Sequence, residues 1–137
     1  MTMDESPDAW NSREGLEEEV PPSLVPAFKA ALKDLVHQLV IGDYAGLMTG
    51  GHASNTTAQQ LPQVFAEYYP CTPVDLPDDA WKFASAILVD ANPEDIYWHV
   101  SIDLWTLEQG RSDLTLEVDV RSTPDGITTR IDDLHVM

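Results

Sequence analysis

The residue types best suited to move a proton in this chain are His99 and Asp119, a carboxylate-oriented imidazole of the kind that serves as a general base. Their pairing is a deduction from strand register, given below, and the same register sets Ser101 opposite Glu117. A second reading makes His99 and Asp119 a hydrogen-bonded pair on an outer sheet face, because no Ser or Cys nucleophile can be placed beside them. The other histidines, His37, His52 and His135, are scattered without a His-Glu-x-x-His helix or a cysteine pair, so no zinc site is expected. Asp78-Asp79 and Asp132-Asp133 lack the alternating acids and the glycine of a calcium loop and read as turn or bulge acids. Gly50-Gly51-His52 is a loop without the Lys of a phosphate cradle. No catalytic residue, metal or cofactor is assigned from sequence.

The elements that must position these groups follow from hydrophobic period. Phe28, Leu32, Leu35, Leu39 and Val40 recur at spacings of three and four, which predicts an amphipathic helix from Pro26 that Gly42 ends. His37 lies off that stripe. Asp43 is placed to cap a short second helix through Tyr44, Leu47 and Met48, and a third is expected around Val64, Phe65 and Tyr68, starting near Pro62 and closed by Pro70. Pro70 to Pro77 reads as an extended connector. Beyond it the period becomes two: Trp81, Phe83, Ser85, Ile87 and Val89 predict a first strand, and Trp98, Val100, Ile102 and Leu104 a second. Leu114, Leu116, Val118 and Val120 predict a third, joined to the second as a hairpin around Gly110.

Register is argued from the faces. Pairing Leu104 with Leu114 and Ile102 with Leu116 keeps both apolar sets on one side, since a one-residue slip turns every side chain over. That places His99 opposite Asp119. After Pro124-Asp125-Gly126 a last strand runs from Ile127 to Val136, and its apolar residues change parity, which requires a bulge near Asp132 and Asp133. Setting Val120 opposite Ile127 puts Glu117 opposite Arg130.

Composition limits the function. The 137 residues suit one domain, and a net charge of -17, from 24 acidic and 7 basic residues, repels nucleic-acid phosphate and anionic lipid. No nucleic-acid or membrane role is expected. The charge suits either a basic partner or solubility, including in a salty cytoplasm. Residues 1–22 carry Asp4, Glu5, Asp8, Glu14, Glu17, Glu18 and Glu19 and read as a flexible acidic arm, with residues 23–137 as a single α+β domain. Trp10 and Leu16 are the arm's two candidates for docking. Cys71 is the only cysteine, the N-terminus lacks a basic, apolar leader, and no run reaches membrane length, so a cytoplasmic location is expected.

Helices followed by an antiparallel meander resemble the cone-shaped nuclear transport factor 2-like, or cystatin-like, fold over roughly residues 24–137. The resemblance rests on Ile41-Gly42-Asp43-Tyr44 and on Thr129 to Val136. It implies a curved sheet wrapped on the first helix, an apolar cavity that Trp81, Trp98, Trp105 and Tyr44 would either line or fill, and a homodimer formed through the open sheet face. Asp103-Leu104-Trp105, Gly110 to Glu117 and Ile131 to Val136 also resemble small uncharacterised bacterial domains, and the size and acidity are similar to those of immunity proteins. The leading expectation is a bacterial immunity or antitoxin-type inhibitor of a basic, toxin-like protein. Its partner-binding face would join Asp103, Trp105, Arg111, Asp113, Asp132, Asp133 and His135. The alternative is a small-ligand carrier or enzyme that uses a sheet–helix pocket with His99 and Asp119.

Overall fold

Burial of the Phe28, Leu32, Leu35, Val36 and Leu39 stripe fixes the first helix, α1 (Val25–Val40), against everything that follows. The computed structural model of the chain describes residues 20–68 and 71–136, so the acidic arm before Val20, with Trp10 and Leu16, lies outside the described residues. Val20 is itself buried. Pro26 stands in the first turn of α1, where its missing N–H costs nothing, and Gly42 takes the left-handed φ of 73° just past the end. The Asp43 carboxylate then accepts the Gly46 N–H at 3.0 Å and starts α2 (Tyr44–Thr49).

The third helix, α3, spans Asn55–Glu67 and so begins seven residues before Pro62, its expected start. Ser54 supplies the cap by accepting the Thr57 N–H at 3.1 Å, and Pro62 lies inside the helix. A two-residue strand, β1 (Pro73–Val74), and a 3-10 turn at Asp78–Phe83 lead to β2 (Ser85–Asp90).

Strands β3 (Ile96–Thr106), β4 (Gly110–Thr123) and β5 (Gly126–Val136) form the antiparallel meander, with β1 and β2 both pairing with β3. The sheet curls into a half-barrel, and its inner face packs on the helices. Trp98, Val100, Ile102 and Leu104 of β3 and Leu114, Leu116, Val118 and Val120 of β4 are all buried. Trp98 meets Phe28 of α1 edge-on at 4.7 Å between ring centroids, a favourable quadrupole geometry. Burying these side chains supplies about 25 cal/mol per Å² of apolar area and is the main force that curls the sheet on the helix.

The expected β3–β4 register holds from Ile96–Ser122 to Asp103–Thr115 and fails only at the hairpin end. Ile102 pairs with Leu116, His99 with Asp119 and Ser101 with Glu117. Leu104 does not pair with Leu114. The ladder passes from Asp103–Thr115 to Trp105–Arg111, and Ser112 stitches the resulting bulge by donating its hydroxyl to the Leu104 carbonyl at 2.7 Å. The shift is two residues, so parity survives and both leucines stay buried.

Two further expectations are overturned. The loop between β4 and β5 closes tightly, with Thr123 paired to Gly126, so Val120 faces Thr129 rather than Ile127 and Arg130 faces Asp119 rather than Glu117. The bulge at Asp132 is present, and beyond it Glu117 faces Asp133. The first expected strand is also corrected. Trp81 and Phe83 belong to the 3-10 turn, and small Ala84 and Ala86 take the core positions, which leaves Phe83, Ile87 and Val89 exposed.

Candidate functional site

Alternation along β3 and β4 sends one set of side chains to the core and the other to the open face of the sheet, and the second set makes a connected polar network. Tyr97 donates its hydroxyl to Asp119 Oδ1 at 2.7 Å. His99 lies between two carboxylates, with Nδ1 3.3 Å from Asp119 Oδ1 and Nε2 2.7 Å from Glu117 Oε1. Ser101 donates to the same Glu117 oxygen at 2.5 Å. The other Glu117 oxygen is 3.0 Å from Nε2 of His135, which reaches across from β5.

This arrangement favours the charged form of His99. A ring whose two nitrogens both face carboxylates donates from both, which is the imidazolium form. Burial by itself disfavours that charge, but the hydrogen bonds to Glu117 and Asp119 and their negative charges outweigh it and hold His99 above its ordinary pKa. His135 is raised as well, chiefly by its hydrogen bond to Glu117. Burial works to raise Glu117, and the Ser101, His135 and His99 contacts overcome it and hold the carboxyl below its ordinary value. Asp119 acts on its other neighbour too: its hydrogen bond to the Tyr97 hydroxyl is the first of the causes that raise that phenol. With both ring nitrogens engaged by carboxylates, His99 reads as part of an ion-paired surface lattice.

Arginines extend the lattice. Arg111 Nε donates to Asp103 Oδ2 at 2.9 Å, Thr115 donates to Asp103 Oδ1 at 3.0 Å, and the Arg111 guanidinium sits 3.9 Å from the centroid of Phe83. Arg121 lies over Tyr97 and donates to Asp95 at 2.8 Å, and Arg130 faces Asp119 across the ladder. The three arginines of the described residues are thus set beside acids.

Register places most of the expected partner-binding residues at one end of this face. Asp103, Thr115 and His135 form one row across three strands, Ser101, Glu117 and Asp133 the next, and Trp105 pairs with Arg111 at the hairpin end. Trp105 is only partly exposed, and its indole N–H is enclosed without a hydrogen-bond partner. Asp113 stands apart on the β4 bulge, where its backbone N–H points at the Tyr68 hydroxyl at 3.3 Å. Asp132 and Asp133 border a shallow groove against Thr57, Gln60, Leu61 and Val64 of α3. None of the ion pairs of Arg111, Arg121 and Lys82 involves Asp113, Asp132 or Asp133, and Asp133 is among the charges that raise His135.

Sequence reasoning missed the Glu117–His135 contact, the Tyr97 hydroxyl and the exposed residues of β2. The first was readable in principle, because a two-residue turn at Pro124-Asp125 together with the Asp132 bulge sets His135 beside Thr115, next to Glu117.

Of the four aromatic residues that would line or fill an interior cavity, Trp98 and Trp81 are buried in the core between sheet and helices, and Tyr44 and Trp105 are partly buried against that core. An open groove of about 300 Å³ lies outside it, between Lys33, Asp34 and His37 of α1 and the Asp75-Leu76 segment. Among the described residues no group of three or more His, Cys, Asp or Glu side chains could hold a metal ion, and no described helix is long and apolar enough to cross a membrane.

Fold and site together define an α+β protein whose helices fill one face of a curled sheet and leave the other as a lattice of paired charges. The chain belongs to the family described as domain of unknown function DUF7668, which matches residues 36–137 and so takes in α2 through β5 and the last part of α1. No curated protein and no solved structure matches the chain.

Proposed function

We propose that this chain is a protein-binding domain that docks a basic surface of another protein on the open face of its sheet, as a bacterial, cytoplasmic inhibitor of the immunity or antitoxin type. The fold we assign to it is the nuclear transport factor 2-like cone, on the order of helices followed by a curled meander. The observation that carries the reading is the contrast between the two sheet faces. One carries the buried core residues, and the other is uncovered among the described residues and presents preformed polar rows, one of which ends in Asp133, with Asp132 on the β5 bulge beside it and Asp113 apart on the β4 bulge. An internally paired centre with acids at its margin that no Lys or Arg holds matches how charged interfaces divide their work, with the margin steering and the centre fixing register. A ligand pocket with His99 as base finds less support, because His99 stands on the open face and both its ring nitrogens are engaged.

The test begins with capture of a partner by the full chain and proceeds to binding kinetics against it across a salt series. Asp113→Lys and Asp133→Lys are expected to slow association, and the effect should shrink as salt shortens the Debye length below about 8 Å. Asp34→Lys, on the exposed side of α1, should change little. Trp105→Ala should act mainly on the off-rate, by about 2 kcal/mol, as loss of an anchor does. Equal effects from Asp34 and from the sheet acids would place the interface elsewhere.

A further inference from the structure

The outer edge of β2 is unpaired among the described residues, because β2 bonds only to β3. Its regular ladder runs from Ser85 to Leu88, opposite Ser101 to Trp98, and stops at the bulge before Asp90. In an antiparallel pair alternate residues turn their N–H and C=O groups away from the partner strand, so half of these residues offer both groups at the free edge. Neither proline nor a charge stands among them, although such residues are what ordinarily keep another strand from adding.

Apolar side chains are left uncovered on both faces of this short ladder. Ile87 pairs with His99, so it stands on the open face beside the polar lattice, and it is 63% exposed. Leu88 pairs with Trp98 and so points to the core side, yet it is 48% exposed while Ala86 on that side is buried. Acids gather at both ends of the run. Asp78 and Asp79 precede it in the 3-10 turn, Asp90 and Glu94 follow it, and all four are exposed. Lys82 is the one base between positions 78 and 95, and it lies 3.5 Å from Asp79. None of the ion pairs of Lys82, Arg111 and Arg121 takes Asp78, Asp90 or Glu94.

We propose that β2 is a strand-addition edge, where an extended segment of the basic partner, apolar at its centre and flanked by lysine or arginine, joins the sheet beside Ser85 to Leu88. This rests on the reading of the open face as the docking surface for a basic protein, and it names the part of that partner which makes main-chain contact. Once added, alternate side chains of the segment fall beside Ile87 on the open face and over Leu88 on the core side, and its basic ends meet Asp78 and Asp79 at one end and Asp90 and Glu94 at the other. The same charges disfavour the two other occupants. A second copy would bring its own four acids to an edge already flanked by four, and residues 1–22 carry seven acids against one base, Arg13.

Amide exchange and chemical shifts of the full chain, followed by NMR against synthetic peptides, test this. The probe alternates valine and threonine between lysines at both ends; one counterpart carries glutamates at its ends, and another carries N-methyl groups along its backbone, which block strand pairing. The lysine-ended peptide should slow exchange of the edge-facing amides between Ser85 and Leu88 and bind about tenfold more tightly than the glutamate-ended one. The N-methylated peptide should leave those amides unprotected. Asp90→Lys should narrow the preference between the charged peptides. Ile87→Lys, at an exposed position, should weaken the lysine-ended peptide about tenfold while the thermal midpoint stays unchanged. Equal binding of the two charged peptides, or no protection at β2 at any peptide concentration, overturns the proposal. Amides already protected in the free chain overturn it too, in favour of a second copy where protection grows with chain concentration and of residues 1–22 where it does not. The two readings fail separately. A lysine-ended peptide that shifts the His99 and His135 resonances but leaves the β2 amides exchanging removes strand addition alone, whereas protected β2 amides beside unmoved histidines remove the open face as the docking surface and keep the edge.

Discussion

Glu117 is the residue on which the open face turns, since one carboxylate receives Ser101, His99 and His135 from three positions on two neighbouring strands. Linkage gives its consequence a direction. Glu117 is depressed on folding, so its contribution is complete above its ordinary value and is lost as pH falls through the folded one; His99 and His135 are raised, so theirs is complete below the ordinary histidine value and is lost as pH rises through the folded ones. The cluster therefore stabilises most fully between those ordinary values, from about pH 4.5 to 6.5. Glu117→Gln should lower stability in that window by about 1–2 kcal/mol and flatten the decline above it. In histidine-detected NMR titrations both imidazoles should titrate at lower pH in the variant. His135 should move further, because Glu117 is its main support while His99 keeps Asp119. Unmoved inflections would mean that Glu117 does not hold either ring in solution.

Short elements in this fold depend on local chemistry that the sequence displays unevenly. Asp43 caps α2, and a Cβ added at Gly46 would come within 2.2 Å of the Asp43 carboxylate, so cap and glycine are one device. Asp43→Ala should cost about 1 kcal/mol. Gly46→Ala in the native chain trades a gain in helix propensity against displacement of the cap, whereas in the Asp43→Ala background it should stabilise by about 0.5–1 kcal/mol. Urea midpoints of the four proteins measure this, and additive effects would show that the two residues act independently. Helices α1 and α2 were legible because Pro26, Gly42 and Asp43 punctuate a clear stripe. The start of α3 was hidden, since Pro62 suggests a beginning and only Ala58 and Leu61 mark its fully buried side, while the true signal is the Ser54 cap. Strand β2 misled for the reason that makes it interesting: its bulky residues face solvent and its alanines face the core. At the candidate site, His99–Asp119 and Ser101–Glu117 followed from parity together with the pairing of Ile102 with Leu116. Glu117–His135 needed loop length and bulge position together, and an error of two residues in the loop replaced it with Arg130.

At the scale of the whole molecule, the charges are unevenly paired rather than uniformly acidic. Arg111, Arg121 and Arg130 gather where the sheet is uncovered, although the chain as a whole carries 24 acids against 7 bases. The open face is thereby held rigid by its own ion pairs, and long-range attraction is left to acids at its margin and elsewhere on the surface. The strand order has a consequence of a different kind. Since β3 is bonded by β1 and β2 on one side and by β4 on the other, and β4 by β3 and β5, these two strands have no free edge over most of their length. Their amides can meet deuterated water only when the whole sheet opens, whereas β5 and α2 can fray alone. Hydrogen–deuterium exchange read by mass spectrometry should find Trp98 to Ile102 and Leu116 to Val120 the slowest stretches in the chain, with a protection free energy equal to that of global unfolding. Earlier exchange there than in Ile127 to Arg130 would mean that the molecule opens along the β3–β4 seam instead of peeling from its rim.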